Sequence, residues 1–181
     1  MRFFTGFLIF LGLIVLLFVI ILKHGNAPKT APFNLASYSN SGAVTQLLID
    51  GPINANIAHR QVRITVGATG TNFQILAGYE GHVLVSRNID NNETSYSSFL
   101  QALAVAGFPN GIKEQIPNKQ GYCPEGERYT FQLLENDSAI LNWWATSCGG
   151  QGTYRGNTAG TVQLFEDQVP AYDDLTNDVG F

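Results

Sequence analysis

The chain has 181 residues, with fourteen acidic and ten basic side chains for a formal charge of −4. From residue 24 onward all fourteen acids face eight bases, a balance of −6, and the five acids after Arg155 meet no base. Nucleic-acid binding is therefore excluded as an expectation, because it needs a basic footprint to neutralise phosphates.

Phe3 to Leu22 is a run of twenty residues without a charge, in which Thr5 is the only polar side chain. As a helix it spans about 30 Å, the thickness of bilayer hydrocarbon. Gly25-Asn26-Ala27 runs into Pro28 and Ala31 into Pro32, so no A-x-A-like cleavage site follows. The run is expected to be an uncleaved signal anchor over residues 1–23, with the lipid bilayer as partner of residues 3–22. Arg2 on one side and Lys23 with Lys29 on the other nearly balance the positive-inside count. Cys123 and Cys148, the only cysteines, break the tie. An oxidised pair belongs in an oxidising compartment, which predicts a cytoplasmic N-terminus and an extracytoplasmic remainder at the cell membrane.

Residues 24–45, with Gly25, Pro28, Pro32 and a Ser/Asn run from Ser37 to Ser41, read as a flexible linker. Val44 to Ile49 is either a first short strand or an apolar patch, broken by Asp50-Gly51-Pro52. The folded domain is expected over 46–172, with its regular part starting near Ile57. Val62, Ile64 and Val66 alternate with Arg63 and Thr65, a half-buried strand. Phe73, Ile75 and Ala77 form the next. Gly78-Tyr79-Glu80-Gly81 is a turn whose glycines supply positive φ. Val83 and Val85 lead a third strand. These short turns imply an antiparallel meander.

The period then changes. Tyr96, Phe99, Leu100, Leu103, Ala104 and Phe108 share one helical face, with Asn91 or Asn92 as N-cap and Gly107 and Pro109 as the stop. A helix over 93–107 should lie across the sheet. Pro109 to Tyr122 is a long loop. Tyr129, Phe131 and Leu133 alternate, Glu135 to Ser138 is a turn, and Ala139 to Cys148 returns with Trp143 and Trp144 on opposite faces, one of them for the core. Residues 149–160 read as a flexible glycine-rich tract. Val162, Leu164, Phe165 and Val169 suggest a short C-terminal helix, and 173–181 an acidic tail that frays. The expected class is α+β: an antiparallel sheet of about five strands, one helix on a face and a short C-terminal helix.

A hairpin centred on Asn136 and Asp137 puts Cys123 and Cys148 two positions from direct register at its open end, close enough for a disulfide. Candidate chemistry is sparse. His59 and His82 lack an HxxxH or HExxH partner, so catalysis would need one of them beside a carboxylate or Cys148. Two cysteines without a nearby histidine make no zinc set, and no metal or cofactor is expected. The glycine-rich tract lacks a P-loop lysine. Trp143, Trp144, Tyr154 and Arg155 are residue types favoured at interfaces and form the expected interaction surface.

The series Gly78-Tyr79-Glu80-Gly81, Phe99-Leu100-Gln101-Ala102-Leu103 closing with Gly107-Phe108, Cys123-Pro124 to Arg128-Tyr129, Ser147-Cys148-Gly149-Gly150 and Leu164-Phe165 to Val169-Pro170 resembles small single-pass proteins of ultrasmall, Saccharibacteria-like epibiotic bacteria. Over residues 60–145 the meander, helix and Tyr-rich strand are also similar to emfourin-type metalloprotease inhibitors, though no inhibitory residue carries over. The leading expectation is an envelope binding module with a protein or envelope partner and no catalytic motif. The alternatives are a protease inhibitor and an envelope enzyme using His59 or His82.

Overall fold

A computed structural model of the chain describes residue 14, residues 33–112, residues 119–177 and residue 179. Apart from Ile14, the expected anchor, Phe3–Leu22, and its flanking charges lie outside the described residues. Among the described residues no helix is long and apolar enough to cross a membrane.

The unit that begins at Asn34 opens with a 3-10 turn, Leu35–Tyr38, capped by the Asn34 side chain accepting from the Ala36 amide. Six strands follow: β1 (Val44–Asp50), β2 (Arg60–Val66), β3 (Gly70–Ala77), β4 (His82–Asp90), β5 (Arg128–Glu135) and β6 (Ser138–Thr146). The helices are α1 (Glu93–Val105), α2 (Thr158–Glu166) and α3 (Tyr172–Thr176). The sheet order is β4-β3-β2-β1-β5-β6, antiparallel throughout. The α+β class is thus as expected, with a sixth strand in place of the ambiguous 44–49 segment. That segment is the central strand: β1 pairs with β2 on one side and β5 on the other. It is central because α1 carries the chain back from the β4 edge, so that β5 can pair on the free side of β1.

Local chemistry explains the elements. Asn92 is the N-cap of α1, its side chain accepting from the Ser95 amide at 3.0 Å. Tyr96, Phe99, Leu100 and Leu103 form the buried face. The Tyr96 hydroxyl donates to the Ala43 carbonyl at 2.9 Å, and burial pushes that phenol up to about 12. Asn136 and Asp137 both have positive φ, 49° and 60°, which makes the two-residue turn between β5 and β6 of the type that matches strand twist. Leu133 faces Leu141 but Leu134 faces Ala139, so Ile140 is the extra residue of a bulge.

One face of the sheet is apolar. Leu47, Ile49, Val62, Ile64, Phe73, Phe131 and Leu133 pack there with the buried residues of α1, with Phe108 and with Phe165 of α2. Burying each such side chain stabilises by roughly 1.5–3 kcal/mol.

Three expectations about chain ends and loops are corrected. The described part of the supposed linker is packed, because Leu35 and Ala43 are core residues and Val44 begins β1. The 149–160 tract is tied down on both sides. Gly152 bridges Ala145, Tyr154 bridges Gly111, and the Ile112 amide donates to the Thr153 carbonyl at 2.9 Å. Gly152 has φ +130°, and a Cβ there would sit 2.2 Å from the Trp144 carbonyl oxygen, so only glycine fits. The acidic tail is ordered through α3, and Val179 is buried.

Candidate functional site

The far face of the sheet, away from the helices, is largely polar, and at one end its polar side chains are buried. There Asp50 closes β1. Its register partners are Gln61 on β2 and Arg128 on β5, so the three side chains form one row across three strands. Opposed residues on neighbouring strands share a face and bring their Cβ atoms close. All three are buried, Arg128 to 2% exposure.

Gly51-Pro52 ends β1 and turns the chain into the 51–59 loop, which returns His59 to the row. His59 is fully buried. Its Nε2 lies 2.8 Å from Asp50 Oδ1, and its Nδ1–H donates to the Pro52 carbonyl at 3.1 Å. Arg128 grips the other side of the carboxylate: Nη2 is 3.2 Å from Oδ1 and Nε donates to Oδ2 at 3.3 Å. The same guanidinium donates to the Gly51 and Cys123 carbonyls. It therefore holds the 51–59 loop and the 119–127 segment against the sheet together. The Ile53 amide donating to the Pro124 carbonyl at 2.8 Å ties these segments directly. Lys119 completes the cluster, with Nζ 3.4 Å from Asp50 Oδ2 and 3.0 Å from Thr130 Oγ1.

The electrostatics follow from this packing. Burial raises the Asp50 carboxyl, but the Arg128 hydrogen bond and the charges of Lys119, Arg128 and His59 outweigh it and hold Asp50 below the usual carboxylate range. Burial pulls the Lys119 ammonium below its ordinary range, with Asp50 acting in the opposite direction.

Tyr79, from the turn between β3 and β4, stacks on His59 with ring centroids 3.9 Å apart and an interplanar angle of 12°. Its hydroxyl donates to the Asn54 carbonyl at 3.0 Å. Beside the cluster opens a cleft of about 550 Å³, floored by Leu48 and bordered by Ile53, Gln61, Arg63, Tyr79, Glu80 and Lys119. Ile53 and Tyr79 are 44% and 47% exposed.

The residues singled out from the sequence are distributed differently. Cys123 and Cys148 are joined, with Cα atoms 5.8 Å apart, at the open end of the β5–β6 hairpin. Cys148 therefore carries no free thiol. Trp143 is the core tryptophan, 8% exposed; Trp144 faces the other way against Tyr122, ring centroids 5.2 Å apart. Tyr154 is buried and its hydroxyl lies 2.7 Å from Thr161 Oγ1. Trp143 and Tyr154 are thus removed from the expected interaction surface, because the bridges at Gly111 and Gly152 fold the glycine-rich tract onto the core. Arg155 is exposed, but its Nη1 donates back to the Gly152 and Tyr154 carbonyls at 2.9 and 2.8 Å. His82 is exposed on the edge strand β4, away from the core.

Asp50, Gln61, Arg63, Tyr79, Lys119 and Arg128 went unread as a site. Asp50 looked like a strand breaker and Tyr79 like a turn residue. Asp50 and Arg128 lie 78 residues apart, so no local spacing could join them. Among the described residues no group of three or more His, Cys, Asp or Glu side chains could hold a metal ion. No protein-family model matches the chain, and no curated protein matches it.

Proposed function

We propose that the chain is a membrane-anchored binding module of the cell envelope, with Phe3–Leu22 as an uncleaved signal anchor, the N-terminus in the cytoplasm and the sheet domain outside. The apolar run and the Cys123–Cys148 disulfide support that placement. The observation that carries the binding role is the cleft over Leu48. One wall is held rigid by the Asp50 cluster and the disulfide-tethered segment, while Ile53 and Tyr79 stay open to solvent. Ligand sites generally pair a few fixed polar groups with apolar walls on a preformed scaffold.

The enzyme alternative has the 2.8 Å His59–Asp50 contact in its favour. It stands second because His59 is fully buried with both ring nitrogens engaged, and Cys148 is in a disulfide. A general base needs a reachable nitrogen.

The test uses the full chain in lipid nanodiscs, exposed to envelope fractions. Ile53→Asp and Tyr79→Ala should lower retention of the bound component. Val105→Asp, on an exposed position of α1, should not. Equal retention by all three variants overturns the cleft as the binding face. Protease added outside spheroplasts should digest the domain; full protection refutes the orientation.

A further inference from the structure

The cleft's charges are unequally used. Asp50 is saturated: Oδ1 meets His59 and Arg128, and Oδ2 meets Arg128 and Lys119. Glu80 accepts from Asn56 Nδ2 at 3.1 Å, which engages it at the rim. Two cations are only partly satisfied. Arg63 Nη1 donates to the Gln74 amide oxygen at 3.3 Å, and its Nε is buried with no partner. Among the described residues Arg63 meets no carboxylate. Lys119 has three N–H donors and, among the described residues, Thr130 Oγ1 and Asp50 Oδ2 as oxygen partners.

The register places these two groups on either side of Leu48. Leu48 on β1 is opposite Arg63 on β2 and opposite Thr130 on β5, to which Lys119 is bonded. Adjacent strands lie roughly 4.8 Å apart, so the cationic positions bracket an apolar floor across about 10 Å. A cation, a leucine floor and a second cation form a slot for one negatively charged group. The guanidinium fork suits the paired oxygens of a carboxylate or phosphate. Beyond the slot, the exposed Ile53 side chain and the Tyr79 ring offer an apolar lip.

We propose that the cleft over Leu48 binds a small amphipathic oxyanion, its carboxylate or phosphate head held between Arg63 and Lys119 and its apolar or aromatic body against Ile53 and Tyr79. This rests on the cleft being the binding face and names its ligand class. The local charge fits: Arg63, Lys119 and Arg128 outnumber Asp50 and Glu80, in a chain whose overall charge is −4. Selection of an anion by a net-acidic protein requires such a local reversal of field.

Isothermal titration of the full chain in detergent micelles, with 4-phenylbutyrate, phenyl phosphate and the neutral 4-phenylbutyramide, tests it. At least one anionic probe should bind about tenfold more tightly than the amide, the difference expected of a charge-assisted bond. Salt on the order of 0.5 M should weaken that preference. Arg63→Gln should erase it, and Arg63→Lys, which keeps the charge but loses the fork, should restore part of it. The ratio between the two anions separates a carboxylate source from a phosphate source. Equal binding of all three probes, lost in Ile53→Asp, keeps the cleft as a binding face and overturns the anion assignment. No binding by either anion also overturns it, while the envelope-fraction experiment judges the cleft independently.

Discussion

Replacing Asp50 by asparagine preserves the shape of the side chain and removes the charge on which the cluster converges. Arg128 is 2% exposed and His59 is fully buried. Neither can turn to water when the carboxylate goes. Breaking a buried ion pair from one side costs about 3–5 kcal/mol, because the remaining charge stays buried without compensation. A domain of this size is stable by about 5–15 kcal/mol in all, so Asp50→Asn should remove roughly a fifth or more of it. Urea unfolding of the oxidised full chain in micelles, followed by tryptophan fluorescence, reads the change as a lower midpoint at constant slope. The partner change Arg128→Met should cost less in the Asp50→Asn background than alone, since adjoining charges couple by about 0.5–3 kcal/mol. Acid gives the matching sign. Asp50 titrates lower in the folded protein than its unfolded reference near 3.9. Its contribution is therefore present above about pH 4 and lost as pH falls through the folded value. The variant should lack that part of the acid loss. A cost below about 1 kcal/mol, or an unchanged acid transition, would refute the claim that the cluster clamps the two loops.

Three further outcomes are expected. Burial pushes the Glu166 carboxyl up, and Asp173, Glu127 and Asp167 push it further against the opposing Tyr172 hydrogen bond. A raised folded value means the charged form opposes folding at neutral pH, so Glu166→Gln should raise the melting temperature at pH 7. The advantage should vanish below the carboxylate range, where wild-type Glu166 is itself protonated; a lower melting temperature at pH 7 contradicts the sign. Reducing Cys123–Cys148, which closes a 25-residue separation, should cost roughly 3 kcal/mol in the same unfolding assay. Intact mass should rise by about two daltons on reduction, and an unchanged mass would disprove the bond. Gly111→Ala would place a Cβ 2.3 Å from the Trp143 ring, an overpacking that should cost about 1–3 kcal/mol and shift tryptophan emission. Unchanged stability would show that the Gly111–Tyr154 bridge can give way.

How much of this was legible depends on the range over which each signal acts. The α1 face, the Asn136-Asp137 turn and the alternation of Val62, Ile64 and Val66 are local patterns. Each is dictated by backbone geometry within a few residues, and each is observed in the structure. The disulfide was legible one step further out, because a single hairpin relates its two cysteines. Tyr154 shows where such reading stops. Eight residues from Gly149 to Gly156 include four glycines and look mobile, but two bridges, Gly152 to Ala145 and Tyr154 to Gly111, fold them onto the rest of the domain.

By itself the sequence determined the α+β class, the meander, the main helix, the disulfide and the apolar run at Phe3–Leu22, all of them products of periodicity, turn chemistry or short loops. The tertiary structure alone decided that Val44–Asp50 is the centre of the sheet. Strand order depends on which edge α1 returns the chain to, and no residue within β1 encodes that. From the same pairing came the row Gln61–Asp50–Arg128 and the bracket of Arg63, Leu48 and Lys119. These side chains are distant along the chain and meet only because the β1–β2 and β1–β5 registers align them. A site made by register, rather than by spacing, becomes visible only once the strands are paired.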